Sequence, residues 1–142
     1  MYVRLFISAM MAQPRELWKP YIVAIDEAHI FCPEKGSGEA ESRGAVISLC
    51  SQGRKRGFCA VLATQRLSKL DKNAAAELAN KLVGRTTLDV DLRRAGDELG
   101  MTATERKALK EVAPGRFFAY GPAFDFGGVQ LIRSGDIQTT HP

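Results

Sequence analysis

A chain of 142 residues, 45% hydrophobic and 25% charged, has the composition of an ordered globular protein and enough length to bury a core, which excludes global disorder. The net charge of +4 and pI near 9.1 admit a nucleic-acid partner without requiring one. Cys32, Cys50 and Cys59 form no CxxC pair, and His29 and His141 stand far apart, so neither a disulfide framework nor a metal cluster is expected. The thiols are expected to be reduced and mostly buried. No apolar run reaches membrane-span length and no signal-peptide pattern opens the chain, so a cytoplasmic protein without a membrane partner is expected.

Residues 1–12 are apolar apart from Arg4, and Leu5, Ala9 and Ala12 recur at helical spacing, which predicts a helix ended by Pro14. Phe6, Met10 and Met11 are expected in the core, where Met fills gaps. Tyr21-Ile22-Val23-Ala24-Ile25 then runs uninterrupted into Asp26-Glu27, the pattern of a strand buried on both faces of a parallel sheet. A loop follows at 31–38, with Pro33, Gly36 and Gly38. Its Gly-Ser-Gly is no phosphate cradle, because that needs GxxxxGK[ST] and no Gly-Lys pair occurs in the chain.

From Glu39 a second helix is expected, with Val46, Ile47, Leu49 and Cys50 as its apolar face. Glu39 and Glu41 fall in its first turn and Arg54, Lys55 and Arg56 in its last, as the helix dipole favours, and Gly57 is placed to end it. Residues 58–63 read as a second buried strand, 74–82 as a short alanine-rich helix and 82–88 as a third strand. Two helices are predicted at 90–99 and 104–112, the latter opened by a Thr102–Glu105 capping box. Residues 116–120 and 128–133 read as a closing strand pair around a turn at 122–127, and the tail from Ser134 as polar and frayed. Strands alternating with helices predict an α/β sandwich around a mainly parallel sheet.

Ligands of open parallel sheets sit outside the carboxyl ends of the strands, where Asp26 and Glu27 fall. There the first carboxylate can hold Mg²⁺, a hard cation that takes oxygen ligands, and the second can orient and polarise an attacking water. The plain alternative is a buried strand that ends in a solvated acidic turn. Ala63-Thr64-Gln65-Arg66 lies one helical crossover later, which brings Gln65 within reach of the same ligand if the strands are parallel. An amide there can donate to a γ-phosphate oxygen and accept from the attacking water, or it can merely cap the strand. Gly53-Arg54-Lys55-Arg56-Gly57 admits three readings. It is a solvated helix end, a source of an arginine for a neighbouring subunit's nucleotide site, or a DNA phosphate contact. Arg85 is a further candidate for a related role.

Val-Ala-Ile-Asp-Glu-Ala-His (23–29), Gly-Arg-Lys-Arg-Gly (53–57), Leu-Ala-Thr-Gln-Arg (62–66) and Gly-Arg-Thr (84–86), in this order, resemble the HerA/FtsK family of hexameric DNA-pumping ATPases. The resemblance runs over about 1–124 and implies a RecA-like P-loop NTPase core in a three-layer sandwich, acting on DNA with ATP and Mg²⁺. It implies that Asp26 serves Mg²⁺, that Glu27 is the catalytic carboxylate and that Gln65 senses the γ-phosphate. Arg54 or Arg56 would be the trans-acting finger, and Thr64 and Arg85 would join Asp26 and Gln65 around the nucleotide. The family's phosphate loop should precede this segment and does not, so residues 1–133 are expected to be the C-terminal part of the ATPase domain, followed by a polar tail at 134–142. A partner chain could supply the loop.

Asp-Glu-Ala-His also suggests a DEAH-box helicase, but the Ser-Ala-Thr and QRxGRxGR segments of that class are missing, as is the LSGGQ signature of ABC ATPases. The alternative from another class is a non-enzymatic oligomerisation or DNA-binding module that keeps the carboxylates by inheritance.

Overall fold

The computed structural model describes residues 1–35, 40–125, 127–136 and 138. The expected Gly-Ser-Gly loop at 36–38, the helix-dipole role of Glu39 and most of the tail lie outside the described residues. The chain forms two compact units, Met1–Leu78 and Ala79–Pro142.

The first unit is built on two parallel strands, β1 (Tyr21–Ile25) and β2 (Phe58–Leu62), in register from Tyr21 opposite Phe58 to Ile25 opposite Leu62. Helices α1 (Tyr2–Met11), α2 (Ala28–Phe31), α3 (Arg43–Gln52) and α4 (Lys72–Ala76) complete it. Ile7, Ile25, Ala28, Val46, Leu49, Phe58, Leu70 and Ala74 form its core, with Val23, Ala60 and Leu62 packed against them. A strand's side chains alternate between faces. The set 23, 25, 58, 60 and 62 therefore faces the core, while Ile22 is 76% exposed and Val61 46% exposed on the opposite face. This corrects the expectation of strands buried on both faces: helices cover one side only, and the outer side keeps its apolar residues in contact with solvent.

In α1 the buried stripe is Val3, Ile7, Met10 and Met11, the i, i+4, i+7, i+8 pattern, and not Leu5, Ala9 and Ala12. Phe6, expected in the core, is 63% exposed. Helix α3 begins later than predicted, at Arg43, which leaves Glu41 in the preceding turn rather than in the first helical turn. Arg54, Lys55 and Arg56 occupy a 3₁₀ turn (Gly53–Arg56) that extends the helix, and Gly57 ends it with φ 82°, as its position predicted. A Cβ at Gly57 would lie 3.1 Å from the Lys19 carbonyl oxygen, which adds a steric reason for glycine there. Cys32 is buried, and burial together with the nearby Asp71 charge pushes its thiol up to about 12. Cys59, on the outer face of β2, is exposed, contrary to expectation.

The second unit holds a three-stranded antiparallel sheet in the order β3 (Lys81–Val83), β4 (Arg116–Tyr120), β5 (Gln130–Arg133). The class is α/β, as expected, with one parallel pair and this antiparallel sheet. The third strand is three residues long and not seven, because Thr86 turns away to bond the Leu109 carbonyl at 3.0 Å. Helix α5 (Asp89–Glu98) matches its prediction, whereas 104–112 forms a 3₁₀ helix (Glu105–Lys110). The capping box is present: Glu105 Oε2 accepts from Thr102 N–H at 2.7 Å, and Thr102 Oγ1 accepts from Glu105 N–H at 3.3 Å. Glu98, drawn upward by burial, is held below the usual carboxylate range by hydrogen bonds from Lys81 and Arg94, which ties β3 to α5. Among the described residues no helix is long and apolar enough to cross a membrane.

The expected helix at 74–82 is instead α4, five residues beginning at Lys72. Its start is fixed by Asp71, 1% exposed, whose Oδ1 caps the helix by accepting from Asn73 N–H at 2.8 Å and Ala74 N–H at 3.1 Å. Its Oδ2 accepts from Arg43 of α3, with Nε at 2.9 Å and a second guanidinium nitrogen beside it. Burial alone would raise the Asp71 pKa, but the Ala74 N–H, the Arg43 guanidinium and the Asn73 N–H together leave it lowered. A folded-state pKa below the unfolded value of about 3.9 means that this stabilisation is complete above that value and is lost as pH falls through the lower folded value. Asp71→Ala is expected to destabilise the unit by about 3 kcal/mol in urea melts at neutral pH and to flatten the steep acid end of the stability–pH curve.

Candidate functional site

Because β1 and β2 are parallel and paired residue for residue, their carboxyl ends lie side by side. The pairing continues past the strands: Ala63 N–H bonds the Ile25 carbonyl at 2.9 Å, and Ala28 N–H bonds the Ala63 carbonyl at 2.9 Å. Asp26 and Glu27 thus emerge from one tip and Thr64 and Gln65 from the adjoining one. Asp26 and Gln65 are exposed there, open to a ligand in solvent.

The chain leaves β1 abruptly. Glu27 adopts the left-handed conformation, φ 46° and ψ 44°, and among the described residues no other non-glycine has positive φ. For a residue with a Cβ this strain is worth about 1–2 kcal/mol. Its N–H is satisfied by Asp26 Oδ1 at 2.8 Å, and the sharp turn starts α2 at Ala28. The Glu27 side chain is 36% exposed, yet Oε2 is shielded from solvent and receives no hydrogen bond; His29 Nδ1 lies 3.3 Å from it. That same nitrogen is 2.8 Å from Thr64 Oγ1, and Thr64 Oγ1 accepts from Arg66 N–H at 3.0 Å.

Asp26 and Glu27 offer oxygen donors only, the set Mg²⁺ prefers, and no described group of three His, Cys, Asp or Glu gathers to hold a metal unaided. The residues present fit a Mg²⁺ held by one or two carboxylates, with oxygens from outside the chain completing its shell. The apolar cleft of about 360 Å³ beside Asp26 is lined by Tyr2, Phe6, Ile7 and Val23 among others and has no basic side chain, so it offers phosphates no partner.

The other predicted residues lie elsewhere. Arg54 and Arg56 precede β2, at the opposite end of the strand pair from Glu27, so a five-residue strand, about 16 Å, separates the basic turn from the carboxylates. Arg56 is half-buried, its guanidinium carbon 5.5 Å from the centre of the Trp18 ring, a cation–π contact. Arg54 is exposed. Arg85 follows β3 in the second unit and is exposed. His29, set aside in the sequence for want of metal-ligand company, is the residue that reasoning missed; its signal was its place two residues after Glu27 in the Asp-Glu-Ala-His string.

The fold is that of an α/β protein similar in structure to P-loop NTPase domains. Neither a family model nor a curated protein matches the sequence. Solved structures are similar in fold: the genome packaging NTPase B204 from Sulfolobus turreted icosahedral virus 2, in complex with AMP, superposes with a TM-score of 0.70 at 15% identity over 94% of this chain and 61% of that one. The same NTPase with AMPPCP gives 0.67 at 16% over 92% and 65%, and with ATP-gammaS 0.61 at 17% over 80% and 52%. This chain therefore spans between about half and two-thirds of the length of those structures, and likeness at such identity is likeness of fold.

The strain at Glu27 is directly measurable. Glycine has no Cβ to clash in this conformation, so Glu27→Gly is expected to be more stable than Glu27→Ala by about 1 kcal/mol in denaturant titrations, the reverse of the order at an ordinary helical position.

Proposed function

We propose that this chain is the C-terminal part of the ATPase core of a DNA translocase or helicase of the HerA/FtsK type, acting as a homo-oligomer, a hexamer by the family's pattern. One observation carries the reading: an acidic pair and a glutamine emerge from the adjoining carboxyl ends of two parallel strands. Hydrolysis of a phosphoanhydride needs a carboxylate to align the attacking water, a group that registers the γ-phosphate and a cation site, and Glu27, Gln65 and Asp26 supply these in that order. Mg²⁺, when bound, would neutralise charge on the phosphate oxygens. The solved structures named above are of one genome packaging NTPase, in complex with ATP-gammaS, AMPPCP and AMP, and this supports a nucleotide-dependent motor on DNA.

The distance between the basic turn and Glu27 argues that an arginine of 53–57 serves a neighbouring subunit. Of the two candidates, Arg54 is the free-standing one and Arg56 is engaged with Trp18. The phosphate loop would come from outside these 142 residues, since the sequence holds no GxxxxGK[ST].

Without that loop's backbone N–H groups and lysine, the 142-residue chain is expected to bind Mg·ATP no tighter than about 1 mM, roughly 4 kcal/mol, by titration calorimetry. Micromolar binding by the chain alone would overturn the assignment as a partial core. Joined to its phosphate loop, mixed oligomers of Glu27→Gln and Arg54→Ala subunits are expected to regain phosphate release that neither pure oligomer shows. Oligomers that form and bind DNA but never release phosphate would favour the non-enzymatic module.

A further inference from the structure

We infer that His29 is a positioning residue that couples the Glu27 carboxylate to the tip of β2, so that a shift of the Thr64–Gln65 segment changes the hold on Glu27. One imidazole nitrogen faces both sides: Nδ1 lies 2.8 Å from Thr64 Oγ1 and 3.3 Å from Glu27 Oε2. A bare lone pair aimed at a carboxylate oxygen is repulsive, so the nitrogen that faces Glu27, Nδ1, carries a proton. The nearer acceptor is Thr64, whose hydroxyl has lone pairs for both this proton and the Arg66 N–H at 3.0 Å.

Glu27 Oε2 is left shielded from water and without a hydrogen bond, beside a donor committed elsewhere. A buried acceptor in this state gains strongly from any displacement that frees the donor. The half-ångström difference between the two contacts is small enough for a modest shift of the β2 tip to reverse the preference. The backbone confines the motion: Ala28 and Ala63 are bonded to each other at 2.9 Å, so Glu27 and Thr64 can move only as side chains and turns beyond a fixed point. Gln65, exposed and adjacent to Thr64, is the group on that turn which a ligand would displace. A ligand felt at Gln65 thus reaches Glu27 through one N–H, and Glu27 is released from or drawn towards the imidazole accordingly.

The coupling is a property of the chain itself; only its consequence for turnover rests on reading Glu27 as the hydrolytic carboxylate. Two measurements separate these. In the 142-residue chain, ¹⁵N spectra are expected to show a proton on His29 Nδ1, and Thr64→Val is expected to shift the Glu27 backbone amide. That shift should persist in His29→Asn, whose side-chain amide places an N–H near the Nδ1 position, and vanish in His29→Gln and His29→Ala. A ring with Nδ1 bare, or an equal Glu27 shift in all four backgrounds, would overturn the coupling whatever the protein hydrolyses. In the ATPase joined to its phosphate loop, His29→Ala is expected to lower kcat at least tenfold with KM within twofold, and His29→Asn to recover most of the loss. Unchanged kcat in His29→Ala, with the spectroscopic coupling intact, would overturn the catalytic consequence alone; a protein in which wild type also fails to hydrolyse ATP would overturn the functional reading and leave the coupling standing.

Discussion

The parallel pairing of β1 with β2 is the constraint on which the rest of the first unit depends. It sets which side chains face inward, because Val23 and Ile25 share a face with Phe58, Ala60 and Leu62 only in this register. A slip of β1 by one residue would turn Ile22 into the core and Ile25 out of it, while β2 kept Phe58 inside. The same register brings the two carboxyl ends level, so chemistry that neither strand could perform becomes available between them. Core and site are therefore specified by one set of backbone hydrogen bonds, and nothing that loosens the first can spare the second.

What lies beyond the strands is held by few, long-range contacts. Asp71 joins α4 to α3 through Arg43, and the imidazole of His29 spans the gap between the two tips. Both involve ionisable or polar groups removed from water, where a satisfied partner matters more than it would at the surface. Asp26 and Gln65 are exposed at the tips, and the turn out of β1 is strained, with Glu27 in the left-handed region. A rigid base carrying a strained, solvent-facing turn is the arrangement expected where a ligand must be met by groups already in place.

The legibility of the sequence divides along physical lines. Local chemistry was readable: the run from Tyr21 to Ile25 as a strand, Gly57 as the residue that ends a helical segment, Thr102 and Glu105 as a capping box, and the hairpin of β4 and β5. All but the hairpin rest on residues within a few positions of one another, and the hairpin joins strands consecutive in sequence. The start of α4 was missed because its cap is a carboxylate whose burial depends on Arg43, 28 residues away. His29 was missed because its partner Thr64 lies 35 residues on, and a lone histidine carries no pattern of its own. The buried stripe of α1 was misjudged because Leu5 and Ile7 are equally apolar, and only the position of the sheet decides which is covered. Uninterrupted apolar strands report their composition and not how many of their faces are packed.

The outer face of that strand pair has a thermodynamic consequence. Ile22 and Val61 are already hydrated in the folded chain. Unfolding therefore transfers less apolar surface to water than the residue count implies, and newly wetted apolar surface is the source of the positive heat-capacity change of unfolding. The heat-capacity increment of this chain should fall below the roughly 12–15 cal/mol/K per residue usual for globular proteins. Its stability should accordingly vary with temperature along a shallow dome, and any molecule that covers Ile22 and Val61 should restore the curvature.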